Sequence, residues 1–176
     1  MVRSRLRMNP RLTGFQKLAL STVVATFLMI VIGVIVRSTG SGMGCPDWPL
    51  CHGQAIPELG DDKAWIESIH RWWGVIVGFL VLGLVVAAWR TQRRTRSVVI
   101  AAVAAVALTG FQAWLGKWTV ETGNSSESVT AHLAVSLLIL ATTLFVFVRS
   151  RYPAELPAHG GSQRRQRESG SGQRQI

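Results

Sequence analysis

Residues 18–36 read LALSTVVATFLMIVIGVIV, nineteen positions without a charged side chain, and this run decides the class of the fold. A helix rising 1.5 Å per residue needs roughly 20 apolar residues to cross about 30 Å of hydrocarbon. Three more uncharged runs follow: WWGVIVGFLVLGLVVAAW at 72–89, SVVIAAVAAVALTGFQAWLG at 97–116 and SVTAHLAVSLLILATTLFVFV at 128–148. In a chain of 176 residues, 48% of them apolar, four such runs predict an all-α integral membrane four-helix bundle. Consecutive spans joined as hairpins give it up-down topology. The first run is longer than a signal-peptide core and leads into Arg37-Ser38-Thr39-Gly40, so it reads as a retained anchor.

The net charge of +10 would suit nucleic acid, but its distribution excludes that partner. Of 19 Lys and Arg, Arg3, Arg5, Arg7, Arg11 and Lys17 precede the first span, and Arg90, Arg93, Arg94 and Arg96 separate the second from the third. Arg149, Arg151, Arg164, Arg165, Arg167 and Arg174 follow the fourth, leaving Arg37, Lys63, Arg71 and Lys117 for the other side. This is the positive-inside pattern. It predicts a multi-pass protein of the cell membrane, embedded in the lipid bilayer, with both termini cytoplasmic.

Residues 1–16 read as a basic cytoplasmic lead, 17–150 as the four-span domain and 151–176 as a disordered cytoplasmic tail dominated by Gly, Ser, Gln, Arg and Pro. A long outer loop at 37–64 is the unusual connection, since most are far shorter. A tight inner loop is expected at Arg90–Arg96. A second outer loop is expected from Lys117 to Glu127, with Asn124, Ser125 and Ser126 able to cap the fourth helix.

His70 and His132 stand near the outer ends of spans two and four. An ionisable side chain there is costly and usually functional, and a matched imidazole pair is what a haem iron or another metal would need. In an up-down bundle spans two and four are diagonal and parallel. With neighbouring helices about 10 Å apart, the diagonal is near 14 Å, enough for a flat macrocycle between two imidazoles. At 100° per residue, Glu67, His70, Gly74 and Gly78 share one helical face, and His132, Ser136, Ile139 and Thr143 make a comparable stripe. The ordinary reading of either histidine alone is an interfacial polar residue; two at equal depth favour ligation. Glu67 reads either as a solvated boundary acid or as a carboxylate serving the ligand. Arg37 and Arg71 read either as snorkelling anchors or as guanidinium forks for haem propionates.

Cys45 and Cys51 are too few and wrongly spaced for zinc. A structural disulfide is the preferred reading and a redox-active pair the alternative. The run Gly40-Ser41-Gly42-Met43-Gly44 lacks the Gly-Lys-Ser/Thr of a phosphate loop, and His52 and His159 receive no role.

Five motifs together resemble haem A synthase, from about residue 15 to 148. They are Val36-Arg37-Ser38-Thr39-Gly40-Ser41-Gly42, Cys45-Pro46-Asp47-Trp48-Pro49-Leu50-Cys51, Glu67-Ser68-Ile69-His70-Arg71, Gln112-Ala113-Trp114-Leu115-Gly116 with Thr119-Val120, and Val129-Thr130-Ala131-His132-Leu133. The resemblance implies an oxidoreductase that converts the C8 methyl of haem O to a formyl group, making haem A for terminal oxidases. It implies that Glu67 is the functional glutamate, His70 and His132 the axial haem ligands, and Cys45 and Cys51 a disulfide near the site. It is confined to the N-terminal half of the usual eight-span enzyme, whose other half holds haem b on a second histidine pair. The resemblance therefore implies a short, four-span type. A homo-oligomer sharing haem b, or a partner supplying a second four-helix half, would complete it, with haem O synthase as a further partner. The alternative is a bis-histidine b-type cytochrome or haem carrier without methyl oxidation. A four-helix thiol-disulfide oxidoreductase is disfavoured, because such enzymes need a second cysteine pair.

Overall fold

The computed structural model describes residues 11–152; the lead before residue 11 and the tail after residue 152 lie outside the described residues. Four helices form over the apolar runs and extend past them: α1 (Gly14–Ser38), α2 (Asp62–Thr91), α3 (Arg96–Glu121) and α4 (Ser126–Arg149). All four are long and apolar enough to cross a membrane, so the chain is a multi-pass membrane protein. Among the described residues the only extended pairing is an isolated bridge between Cys51 and Gln54.

Helix ends depart from the ends of the uncharged runs in an instructive way. The α2 helix starts at Asp62, ten residues before Trp72, and so carries Glu67 and His70 within its second and third turns. The α3 helix runs on to Glu121 and α4 begins at Ser126, so the second connection at this end is short, not the loop expected from Lys117 to Glu127. Hydrocarbon thickness limits the uncharged run, whereas backbone hydrogen bonding sets the helix, which continues through interfacial charges until a cap stops it. The caps are local: Thr13 and Gln16 form a capping box on α1, Asp61 accepts from Ala64 N on α2, and Ser125 accepts from Ser128 N on α4.

Each helix packs on two neighbours, α1 on α2 and α4, and α3 on α2 and α4; the diagonal pairs make no close backbone approach among the described residues. This is the square up-down arrangement. Small side chains set its spacing, as is usual where lipid removes the hydrophobic drive between helices. Ala19, Ala88, Ala102 and Ala105 are fully buried, and Thr22, Thr26 and Thr143 bury hydroxyls satisfied by carbonyls one turn back. Two apolar clusters fill the bundle. One joins Phe15, Leu84, Val98 and Val146 at the end away from the long loop, and the other joins Ala25, Val77, Val81 and Ala105 at mid-height. Gln16 Nε2 donates to Ser150 O at 2.9 Å and ties α1 to α4 at the far end. At the loop end neither apolar cluster continues. The two histidines occupy that level.

Candidate functional site

The long connection, residues 39–61, folds onto the end of the bundle and is pinned there by Glu67 and Arg71. Cys45 and Cys51 form a disulfide, with both residues buried. Glu67, only 4% exposed, accepts the Cys45 N–H through Oε2 at 2.8 Å and the Arg71 guanidinium through Oε1 at 2.5 Å. Arg71 spends its remaining terminal N–H groups on the same loop. Nη2 donates to Cys45 O at 2.7 Å, and Nη1 donates to Asp47 O at 2.7 Å and Leu50 O at 2.6 Å.

Three expectations change in consequence. Glu67 is a buried, ion-paired carboxylate, not a solvated boundary acid. Arg71 is neither a snorkelling anchor nor a free fork for a propionate: its four terminal N–H groups are committed, leaving Nε–H alone. The disulfide is shielded, whereas a redox-active pair needs a sulfur that an attacking thiolate can reach. Arg37, by contrast, is exposed at the end of α1, and its guanidinium has no hydrogen-bond or ion-pair partner among the described residues.

Within the loop, Asp47 accepts from His52 N at 2.6 Å and Gly53 N at 2.8 Å, closing the turn that follows the disulfide. Those N–H donors, Gly53's first, hold its carboxyl below the usual range. Gly44 has no room for a side chain: a β-carbon there would stand 2.5 Å from the backbone of Lys63, which is how closely the loop sits on the start of α2. Asn124, at the α3–α4 turn with φ of 58°, packs its amide against Gly42, so the loop also covers the second hairpin.

Beneath this lid, each histidine lies with its ring edge on a glycine of the neighbouring helix. A β-carbon on Gly33 would stand 3.2 Å from His70 Cε1, and one on Gly116 would stand 3.3 Å from His132 Cε1. The absence of a side chain at both places makes room for an imidazole within the helix–helix contact. Nδ1 of each is buried without a hydrogen-bond partner among the described residues. Neither ring makes a hydrogen bond among the described residues, and Nε2 of each, unlike Nδ1, is not sealed off, so it is the nitrogen left for a ligand. A haem iron, taking one imidazole from each side, fits this donor set. The site has no cluster of three or more potential ligands among the described residues, which fits a bare ion poorly.

The two hairpins repeat this arrangement. Their register is set by Gly33 with Gly116 and His70 with His132. The sequence face of Glu67, His70, Gly74 and Gly78 also divides. Glu67 turns to the loop, Gly74 faces Met29 of α1, and Gly78 has open space beside it. On α4, Ile139 and Thr143 are buried while His132 and Ser136 are half-buried. Gly33 and Gln112 were not read as neighbours of the histidines. The available signal was a pair of residues at i and i+4, Met29–Gly33 and Gln112–Gly116, at matching depth on the preceding spans.

Substituting leucine at Gly33 or Gly116 is expected to drive the ring from its seat. Haem retained per purified protein should fall about tenfold or more, as for loss of an element that orients a ligand. Gly110→Ala, where no atom lies within 4 Å of the added carbon, should leave haem content unchanged.

A family profile described as cytochrome oxidase assembly protein, COX15-CtaA, matches residues 16–171. The chain is 35% identical over 158 residues to the heme A synthase of Bacillus pumilus, covering 82% of this chain and 50% of that protein. It is 36% identical over 145 residues to that of Bacillus licheniformis, covering 80% and 47%, and 29% identical over 147 residues to that of Shewanella oneidensis, covering 74% and 44%. The chain spans about half the length of the curated relatives it matches. A pair of half-buried histidines on diagonal helices under a disulfide-closed loop, on four spans that match this profile almost throughout, assigns the chain to the COX15-CtaA family of cytochrome oxidase assembly proteins.

Proposed function

We propose that this chain binds haem O between His70 and His132 and acts as a haem A synthase-like membrane oxidoreductase, converting the C8 methyl to a formyl group for terminal oxidases. The observation that carries this reading is the pair of half-buried imidazoles, each seated on a glycine, with no protein hydrogen-bond partner at either ring nitrogen among the described residues. Haem iron would supply redox chemistry when bound, while the four electrons lost in turning a methyl into a formyl group would pass to an external acceptor and the oxygen atom gained would come from dioxygen or water. The chain's own residues would hold and orient the ring: His70 and His132 would ligate its iron, and exposed Arg37 has a free guanidinium for a propionate. Glu67 provides a fixed carboxylate one turn from His70, able to take a proton released at the oxidised carbon.

The positive-inside count supports an orientation with both termini cytoplasmic and the site near the outer face of the cell membrane. One histidine pair holds one iron. A second haem, b-type, would be carried by a second copy of this chain or by a partner four-helix half, with haem O synthase as the upstream partner. Chromatography of haem extracted from the purified protein, co-expressed with a haem O source, tests the reading. Haem A is expected. Unconverted haem O, or haem B alone, in a protein with an intact bis-imidazole spectrum would replace the enzyme with a b-type cytochrome or haem carrier.

A further inference from the structure

The two hairpins around the haem site share a register but differ in polarity one turn below the histidines. On the α1–α2 side, Met29 faces Gly74, with its Cε 3.3 Å from where a β-carbon on that glycine would stand. On the α3–α4 side the corresponding residues are Gln112 and Ser136. Gln112 Nε2 donates to His132 O at 3.0 Å and to Ser136 Oγ at 2.6 Å, while Ser136 Oγ donates its own hydrogen to His132 O at 2.9 Å. A backbone carbonyl can only accept, so the nitrogen end of the amide is fixed toward α4 and the oxygen end is turned away. That oxygen, Oε1, is buried and has no hydrogen-bond partner among the described residues. An acceptor left unpaired away from water is costly, and hydrocarbon offers nothing to pair with it.

We infer that Gln112 Oε1 accepts a hydrogen bond from a hydroxyl on the periphery of the bound porphyrin, and so selects a haem bearing an alcohol over one bearing only vinyl groups. This rests on the reading of His70 and His132 as axial ligands. Haem O fits the class, since its long side chain carries a hydroxyl where haem B has a vinyl group. The same bond has a second effect. A porphyrin between two matching hairpins can enter either way round, and a single acceptor on one side breaks that degeneracy. It thereby determines which methyl group lies toward Glu67. Gln112 is on this account a specificity residue that leaves the iron's ligation untouched.

The test is a titration of the detergent-solubilised apoprotein with haem B and with haem O, read from the Soret band of the bis-imidazole complex. Gln112→Met, which copies Met29 of the other hairpin, is expected to weaken haem O about tenfold while leaving haem B affinity and its low-spin spectrum unchanged. An unchanged ratio of the two affinities in Gln112→Met would overturn the inference. So would an equal loss of both haems, which would make Gln112 only a brace for α4. Failure of the wild-type protein to give a bis-imidazole band with either haem would instead remove the axial-ligand reading.

Discussion

Replacing His70 or His132 by glycine is expected to abolish the six-coordinate low-spin haem spectrum and to lower haem affinity by more than about a hundredfold. Even partners that merely orient a ligand are worth about 10–100-fold, and here the ligand itself is removed. The two variants should be equivalent, because the two rings are held alike: Gly33 seats one and Gly116 the other, and each Nδ1 is buried and unpaired. Loss of a ligand and loss of the fold are separable. A glycine leaves a ring-sized gap, and added imidazole should refill it and restore the spectrum in either variant. His52→Ala is the control. Its ring lies on the loop, bonded to Gly44 O at 3.0 Å, and the backbone N–H that Asp47 needs survives the substitution. If imidazole fails to rescue either glycine variant while both remain folded, or if His52→Ala loses haem equally, the facing pair is not the ligand set.

What the sequence yields here follows the range of the forces involved. Hydropathy and charge act on whole segments, so four uncharged runs and the lysine and arginine counts were enough for the spans and the bundle. Depth survives translation only coarsely: His70 stands two residues before its uncharged run and His132 four residues after the start of its own, so the runs place both near one end of the bundle and no finer. Contacts between segments do not survive it. Nothing in the spacing says that Arg71 reaches back 20 or more residues to the carbonyls of Cys45, Asp47 and Leu50. Glu67 looked like a boundary acid because it lies beyond the uncharged run, yet the loop folds over it and leaves it 4% exposed. Gly33 reads as an ordinary small residue of a membrane helix. Its meaning appears only when the ring across the interface is known.

The Glu67–Arg71 pair sets loop anchoring against chemistry, and substitutions can part them. In Arg71→Ala the Glu67 carboxylate keeps only the Cys45 N–H, and three loop carbonyls lose a charged donor. Removing one partner of a buried pair costs about 3–5 kcal/mol. This variant should therefore melt several degrees lower, admit protease to residues 39–61 and lose haem A formation together with loop order. Glu67→Gln is nearly isosteric and keeps one acceptor oxygen. It should retain the bis-imidazole spectrum and yet lose haem A formation by about a hundredfold or more, the scale of a positioned proton acceptor. The double change Glu67→Leu with Arg71→Met settles the assignment. Replacing both members of a buried pair by apolar groups is often close to neutral, so the double variant should be more stable than Arg71→Ala and still inactive. Haem A formation in the double variant at the wild-type rate would reduce Glu67 to a loop anchor and move the proton acceptor elsewhere.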